Sequence, residues 1–300
     1  MAKIHALRAR MRSIAKIGQI TKAMEQVAAS KRRRAQAAVL RTRPYAYAAR
    51  ELLAQLAVLT APTAHPLFAR RSVKRRLYVV ISGDRGLAGA YNSNVGRAVV
   101  HAVDEAREEA PPRVLVIGRK GAKLAAALER AGKIEVLGAY VDWPVQPSMA
   151  VCQPVADEAM RQYREGYVDV VSIIATDFTA GLRQPVTVRP WLPVQVETGM
   201  PAEAIGETWR EAIFEPSPAA VLSYIVPRLV SVQLYQAVLE ALAAEQSMRM
   251  AAMQNASENA TELLGDLRLT YNSARQTAIT QELAEISAGA EAMREVTFGV

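Results

Sequence analysis

The amino-acid sequence predicts an α/β domain combined with a long pair of helices formed by the two ends of the chain. Apolar residues recur at helical spacing over 1–60 and again over 218–293. Between these segments, over 73–211, strand-like apolar runs alternate with helical stretches and glycine-bearing turns. Pairing the two end helices with each other is the simplest way to cover their apolar faces. We therefore expect an N-terminal helix in 1–60, a central α/β domain in 73–211 and a C-terminal helix in 218–293.

The N-terminal segment carries its apolar residues at steps of three and four, which predicts one helix face. This stripe comprises Ile4, Leu7, Met11, Ile14, Ile17, Ile20, Met24 and Val27. One extra step of three near Ile17 departs from a strict heptad and predicts a local change in supercoiling. Further along, Pro44 predicts a kink or an interruption of the helix.

The C-terminal segment has the start signals of a helix, with Ser217 as the cap and Pro218 in the first turn. Pro227 lies inside the pattern and predicts a bend. Near-heptad spacing follows and predicts a seam with another helix. Its members are Ala260, Leu263, Leu267, Ile279, Leu283, Ile286, Ala290 and Met293.

The central segment predicts a mostly parallel sheet covered by helices, because strands and helices alternate along it. Strands are expected at 77–82, 114–118, 134–139, 168–175 and 186–196, and helices at 94–109, 119–131 and 154–165. The last strand contains Pro190 and Pro193, which places it at the edge of the sheet.

The charge of the chain is concentrated at its N-terminus. The formal net charge is +8, yet residues 1–43 alone hold twelve Lys and Arg against one acidic residue, Glu25, for a local charge of +11. Such a surface predicts a negatively charged neighbour, whether acidic protein, nucleic acid or lipid headgroups. The run Lys31–Arg34 keeps a basic nucleic-acid-binding protein open as an alternative, although aromatic residues for base stacking are absent before Tyr45.

Composition argues against several classes of site. A single cysteine, Cys152, excludes an internal disulfide and a cysteine-based metal cluster, and we expect a small buried side chain there. His5, His65 and His101 are too far apart for ligand spacing. No apolar run approaches the roughly 20 residues of a membrane span. The sequence therefore predicts neither a metal nor a cofactor.

A glycine-rich turn, Ser82–Asn92, is the strongest candidate for a nucleotide site. Its glycines at 83, 86 and 89 do not match the dinucleotide fingerprint, and the chain lacks a P-loop motif. We interpret the segment as a structural turn, with a nucleotide-using enzyme as a further alternative.

The C-terminal helix has features of a contact surface rather than a catalytic one. Met248, Met250 and Met253 fall on several helix faces, which indicates contact on more than one side. The polar stretch Tyr271–Leu283 contains no nucleophile, base and orienting group in sequence, so we interpret it as a hydrogen-bonding patch for a partner.

Three segments resemble the gamma subunits of F-type ATP synthases, and the resemblance extends in order over the whole chain. They are RMRSIAKIGQITKAMEQVAASKRRRA (Arg10–Ala35), ISGDRGLAGAYN (Ile81–Asn92) and SMRMAAMQNASENATELLGDLRLTYNSARQTAITQELAEISAGAEAM (Ser247–Met293). The resemblance implies a long antiparallel coiled coil of the two termini plus a Rossmann-like α/β domain.

The resemblance also implies that the chain is a non-catalytic rotor subunit. In that family the coiled coil turns inside a ring of three alpha and three beta subunits. The globular foot rests on the membrane c-ring with the epsilon subunit. Ion flow rotates the c-ring, and the shaft drives the beta sites through different conformations. With no presequence visible, a bacterial source is expected. The chain is then peripheral on the cytoplasmic side of the plasma (inner) membrane, attached only through the complex and without a nucleic-acid partner.

The resemblance assigns contact residues by matching position. Met24 corresponds to the position facing the beta lever loops, and Phe214 and Glu215 correspond to the foot segment near the c-ring and epsilon. The positions matching residues that engage the alpha and beta sleeve are Arg249, Arg275, Gln276, Thr280 and Glu282. Ala88, Met248 and Ser273 depart from the family pattern and affect only fine contacts.

Overall fold

The computed structural model describes residues 2–59, 65–106, 108–179, 181, 184–194, 215 and 217–298. It divides into two compact units. The first comprises Met1–Val27 and Ala251–Val300, and the second comprises Ala28–Met250. One predicted contact residue, Phe214, lies outside the described residues.

Long helices occupy both ends of the chain, as predicted. The elements in order are α1 (Ala2–Leu59), a 3-10 turn (Pro66–Phe68), β1 (Arg76–Ile81), α2 (Tyr91–Glu105), β2 (Arg113–Ile117), α3 (Arg119–Arg130), β3 (Glu135–Tyr140), α4 (Met149–Arg164), β4 (Val170–Thr176), β5 (Val186–Leu192) and α5 (Pro218–Phe298). At the start of α5, the hydroxyl of Ser217 accepts a hydrogen bond of 3.3 Å from the Ala220 amide, which confirms the predicted cap.

The described strands of the second unit form one sheet in the order β3-β2-β1-β4-β5. Strands β1 to β4 are parallel, and Val79 of β1 pairs with Leu115 of β2 and Ile173 of β4. Strand β5 is antiparallel to β4 and lies at the edge. Its Pro190 lacks an amide hydrogen, so the edge is where it is tolerated. The prediction of a mostly parallel sheet with a proline-bearing edge strand is confirmed.

Two apolar cores cover the two faces of this sheet. Helices α2 and α3 pack on one face through side chains such as Val95, Val99 and Ala125. On the other face, α4 packs together with Leu53 of α1 and the α5 segment 222–241. The buried Trp191 indole donates to the carbonyl oxygen of Val230 at 3.2 Å and ties β5 to α5.

Within the second unit, α1 and α5 also pack directly on each other. Val39 is fully buried against Leu239 and Ala243. Beside this contact, Thr42 donates to Gln236 Oε1 at 2.7 Å.

In the first unit, α1 packs on α5 along a strict heptad. The partly buried positions of α1 include Ile4, Leu7, Met11, Ile14, Gly18, Thr21 and Glu25, at alternating steps of three and four, with Ala15 and Met24 beside them. They face positions on α5 that include Ala260, Leu264, Leu267, Tyr271, Ala274 and Ala278. A Cβ added to Gly18 would lie 3.4 Å from Ala260 Cβ, so the helices approach closely there.

The predicted apolar stripe of α1 is therefore wrong at Ile17, Ile20 and Val27, although Met24 is partly buried. Ile17, Ile20 and Val27 are 50%, 58% and 55% exposed, and the seam runs instead through Gly18 and Thr21. Small and polar residues occupy the seam because a close helix approach leaves little room for large side chains. The predicted change of supercoiling near Ile17 has no basis, since the heptad is unbroken.

The predicted seam of α5 is confirmed at Ala260 and Leu267 and is wrong at other positions. Leu263, Ile279, Leu283 and Ile286 are all exposed, and the seam uses Leu264 and Ala278 instead. The start of α1 lies beside Tyr271 and Ala274 of α5, with Leu7 and Ile4 at those two positions. Among the described side chains of the first unit, none from α1 therefore packs on 279–290.

Three helices also differ from the predictions. Helix α1 continues through Pro44, because its neighbours Thr42 and Arg43 are held by Gln236 and Glu240. Helix α4 begins at Met149 instead of Pro154, since burial of Cys152 and Val155 outweighs the hydrogen bond lost at the proline. Helix α2 begins at Tyr91 and ends at Glu105, earlier than predicted at both ends.

Neither a membrane span nor a metal cluster is found in the part of the chain that the structure describes. There, no helix combines the length and the hydropathy that crossing a bilayer requires. No group of three or more His, Cys, Asp or Glu could hold a metal ion within the same residues.

Candidate functional site

The α5 residues predicted to engage partners point away from the helix seam of the first unit. Arg275, Gln276, Thr280 and Glu282 are all exposed, while Ala274 and Ala278 between them face α1. The hydroxyl of Thr280 donates to the Gln276 carbonyl oxygen at 3.0 Å, which fixes that side chain on the helix surface. The structure thus leaves all four side chains exposed on α5 and available for contact with a partner.

The same part of α5, over 279–290, also carries exposed apolar side chains. Ile279, Leu283 and Ile286 are spaced by four and three residues and are 48%, 62% and 69% exposed. Isolated exposed apolar residues are common, but a helical row of them marks an interaction site. The sequence had indicated these residues, although as members of an internal seam.

A second outward surface lies on α1. Ile17, Ile20 and Val27 are exposed, and the half-buried Met24 lies on the same stretch of helix. The sequence interpretation missed this surface because it assigned the three residues to the internal seam. A strict heptad drawn through Gly18 and Thr21 would have revealed it.

Arg249 has different surroundings from the other predicted sleeve residues. Its side chain is only 12% exposed and forms an ion pair with Glu245, one turn earlier on α5. It also donates to the Gly86 carbonyl oxygen at 3.3 Å. The guanidinium is therefore engaged inside the second unit.

Glu215 is exposed and precedes the Ser217 cap of α5 by two residues. Because its neighbour Phe214 is outside the described residues, the two predicted foot residues are not seen together.

The glycine-rich turn Ser82–Asn92 uses its polar groups internally. Asp84 accepts hydrogen bonds from the Arg119 amide at 2.9 Å and the Trp143 amide at 3.0 Å. The amide of Gly83 donates to Asn92 Oδ1 at 3.0 Å.

The start of α3, which faces this turn, has its amides occupied as well. The Lys120 amide donates to the Gly83 carbonyl oxygen at 3.0 Å, and the Gly121 amide donates to Ser82 Oγ at 2.8 Å. A phosphate at a helix N-terminus needs such amides free. This arrangement favours the structural interpretation of the turn over a nucleotide site.

A cavity of about 250 Å³ lies beside the turn, between α2 and α3. Valines dominate its lining, with Val80, Val95 and Val116 among them, and the polar groups of Ser82 and Asn92 at its rim are already hydrogen-bonded. A cavity of this size is below the usual range of about 300–1,000 Å³ for small-molecule sites, which argues further against a nucleotide.

Two buried groups have strongly shifted acidities without forming a reactive set. Burial raises the pKa of the Cys152 thiol to about 12. Burial also raises the pKa of Tyr91, and the nearby Glu245 carboxylate adds to the effect. Both groups stay protonated at neutral pH, so neither supplies a nucleophile.

Comparisons with known proteins agree on one family. The family model described as ATP synthase matches residues 3–293. The ATP synthase gamma chain of Moorella thermoacetica is 39% identical over 295 residues, covering 98% of this chain and all of the relative. That of Acidithiobacillus ferrooxidans is 42% identical over 302 residues, with the same coverage.

Solved structures share the fold. A chain in the Euglena gracilis mitochondrial ATP synthase structure of OSCP, F1 and c-ring matches with a TM-score of 0.65 and 20% identity, covering 99% of this chain and 96% of that one. A chain in the Tetrahymena thermophila mitochondrial ATP synthase central stalk and c-ring structure matches with a TM-score of 0.60 and 23% identity, covering 79% of this chain and 99% of that one. Together, the family model and the full-length relatives show that this chain belongs to the ATP synthase gamma chain family.

Proposed function

We propose that this chain is the central rotor shaft of a bacterial F-type ATP synthase. It couples ion-driven rotation of the c-ring to conformational change at catalytic sites on the beta subunits. The observation that carries the proposal is the pairing of α1 with α5 in the first unit, which leaves partner surfaces on its outside.

The partner surfaces differ around the helix pair, as a rotor requires. An apolar α1 surface carries Ile17 and Ile20, and a polar α5 surface carries Arg275 and Gln276. A surrounding ring would meet a different surface at each orientation of the shaft. Because a partner shifts a conformational equilibrium only through differential binding, such asymmetry is what drives three beta sites into three states.

The basic N-terminal helix suits a sleeve with acidic loops. Arg8, Arg10, Arg12 and Lys16 are all exposed on α1. Long-range attraction of this kind orients a partner and adds little to the affinity of exposed pairs. The shaft is thereby centred without being fixed at one angle.

The role is mechanical, with catalysis residing on the beta subunits. Met24, Arg249, Arg275, Gln276, Thr280 and Glu282 contact the alpha and beta sleeve in this proposal. Phe214 and Glu215 contact the c-ring and epsilon. The coiled-coil segments are 1–60 and 218–293, with the α/β domain at 73–211 near the foot. The chain is attached through these partners to the cytoplasmic side of the inner membrane.

Reconstitution tests the proposal. Complexes assembled with alpha, beta, epsilon and the c-ring should show proton pumping coupled to ATP hydrolysis only when this chain is included. Coupling of equal efficiency without the chain would contradict the proposal.

A pair of matched variants tests the α5 surface. Replacing Arg275 and Gln276 together by alanine should reduce coupled ATPase at least several-fold. The control replaces Gln254 and Glu258, an exposed pair on the same helix whose side chains bond only each other at 3.0 Å in the described contacts. Equal reductions of coupled ATPase in the two double variants would show that Arg275 and Gln276 do not contact the alpha and beta subunits.

A further inference from the structure

The carboxyl ends of β1 and β4 border the crevice where open α/β sheets usually bind ligands. The two strands are neighbours, and the chain leaves them in opposite directions, towards β2 after β1 and towards β5 after β4. Such a switch point opens a crevice outside the strand ends. The turn Ser82–Asn92 follows β1, and Thr176 ends β4.

In this chain, helix α5 occupies that crevice. Ala244 of α5 is fully buried against Ala88 and Tyr91 of the turn, and Met248 packs beside them. Thr176 lies next to the hydroxyl of Tyr91, which connects the contact to the end of β4.

A carboxylate of α5 is seated against the turn. Glu245 is only 6% exposed. A Cβ added to Gly83 would lie 2.9 Å from Glu245 Oε1, so only glycine leaves room for this carboxylate. One turn along α5, Arg249 pairs with Glu245 and donates to the Gly86 carbonyl oxygen. Two side chains of α5 therefore touch two of the three glycines of the turn, Gly83 and Gly86.

We propose that Glu245 and Arg249 are positioning residues that fix α5 in this crevice, so that the α/β domain and the shaft helix turn as one body. The inference rests on the proposed rotor function and assigns Glu245 a part in it. It also gives Arg249 an internal role in transmitting rotation.

The chemistry of the contact explains why polar side chains of α5 are needed to hold the helix against the turn. In the apolar part of the contact, Ala244 packs against Ala88. Because both side chains are small and do not interlock, this packing opposes sliding or rotation of α5 only weakly. A buried ion pair adds little net stability, since desolvation offsets its attraction. This ion pair lies within α5 and would turn with the helix, so it does not by itself set the orientation. The contacts with the turn specify one geometry, because rotating α5 would separate the Arg249 guanidinium from the Gly86 carbonyl oxygen and the Glu245 carboxylate from Gly83.

The first test uses the isolated full-length chain and hydrogen exchange of the turn amides over 83–91. Glu245→Gln keeps the size of the side chain but removes its charge. Loss of a charged hydrogen bond should speed exchange about tenfold or more. Glu105→Gln, which removes an exposed carboxylate from α2, is the matched control and should leave the turn unchanged.

The second test uses the assembled complex and the ratio of protons pumped to ATP hydrolysed. Glu245→Gln should at least halve that ratio while ATP hydrolysis continues. Glu245→Asp, which keeps the charge, should restore most of it. A purely structural role for the side chain would instead favour the isosteric glutamine over the shorter aspartate.

Normal exchange and a normal coupling ratio in Glu245→Gln would overturn the inference. If that variant fails to fold, Gly83→Ala, which displaces the same carboxylate, provides the same two readouts. If complexes without the chain still couple, the rotor function fails. Even then, faster exchange of the turn amides in Glu245→Gln would support the fixing of α5 in the crevice, and unchanged exchange would contradict it.

Discussion

The guanidinium of Arg8 donates a hydrogen bond of 2.6 Å to the hydroxyl of Tyr271, although 263 positions separate the two residues. The guanidinium carbon also lies 5.6 Å from the centre of the Tyr271 ring. An exposed contact of this kind contributes little stability, but it records the register of two antiparallel helices. With Gly18 opposite Ala260, it fixes how the start of α1 meets the later part of α5 within the first unit.

Gly18→Leu should destabilise the helix pair by about 1–3 kcal/mol, because the added side chain overpacks the contact with Ala260. Gly18→Ala should be tolerated, since its Cβ would make an ordinary contact at 3.4 Å. Gly265→Leu is the control, because a Cβ there meets nothing within 4 Å. Thermal unfolding monitored by helical circular dichroism measures all three, and equal loss in Gly18→Leu and Gly265→Leu would show that the helices are not close at Gly18.

Ile14 and Ile17 should respond differently to truncation, because only Ile14 is in the seam. Ile14→Ala should cost about 1–2 kcal/mol in the isolated chain, whereas Ile17→Ala, at a half-exposed site, should cost less than about 0.5 kcal/mol. Ile17→Ala should instead weaken assembly with the alpha and beta subunits. Urea unfolding and co-purification provide the two measurements, and the reverse order of stability loss would restore the sequence-based stripe.

Met24→Lys should impair coupling more than folding. Met24 is half-buried on a helix that is already basic, and a lysine there can extend its charged end to solvent in the free chain. In the complex, the same charge would meet the lever loops of beta. The measurement is the ratio of proton pumping to ATP hydrolysis, with Ala23→Lys on the neighbouring exposed position as control. A normal ratio in Met24→Lys would contradict the placement of Met24.

Gly118→Ala should cost more than about 3 kcal/mol of the second unit's stability. Gly118 has φ +99°, and a Cβ there would lie 2.1 Å from the Ser82 carbonyl oxygen. Gly132→Ala is the matched control, with φ +70° and nothing within 4 Å, so only the backbone strain of about 1–2 kcal/mol applies. Urea unfolding followed by the tryptophan fluorescence of the chain distinguishes them. Similar losses of unfolding free energy in the two variants would show that the Ser82 carbonyl oxygen after β1 does not lie close to Gly118.

Stability of the second unit should fall as the pH drops below about 6.5, in part through His65. Its Nδ1 accepts the Leu67 amide at 3.3 Å, so the native state requires an unprotonated Nδ1. Burial lowers the pKa of His65 from 6.5, and the positive charge of Arg164 lowers it further. The unfolded chain therefore binds the proton at a higher pH than the native chain does, and protonation favours unfolding.

The measurement for His65 is the change in unfolding free energy between pH 7.5 and 5.5. His65→Gln should reduce that change, whereas the exposed His101→Gln should retain it. If the unfolding free energy of wild type and of His65→Gln changed equally with pH, His65 would not contribute to the loss of stability at low pH.

Local patterns were sufficient to predict the fold class and the succession of strands and helices along the chain, since buried strands such as Val114–Ile117 are continuous apolar runs. They were not sufficient for the helix seam. Gly18, Thr21 and Glu25 are not apolar, so a search for apolar spacing selected Ile17 and Ile20 instead.

The candidate contact residues were also predicted only in part. Arg275, Gln276, Thr280 and Glu282 are exposed where they were expected to be. The internal engagement of Arg249 depends on Gly86, 163 positions earlier, and no local pattern encodes that proximity.

An engineered disulfide between Gly18→Cys and Ala260→Cys, in a Cys152→Ser chain, tests the central claim most directly. Their Cβ atoms would be 3.4 Å apart, close to the distance of about 3.5–4.5 Å in disulfides. We predict that the bond forms within the monomer under mild oxidation and that complexes containing the cross-linked chain keep coupled ATP hydrolysis. Failure to form the bond, or loss of coupling that reduction restores, would contradict a shaft made of these two paired helices.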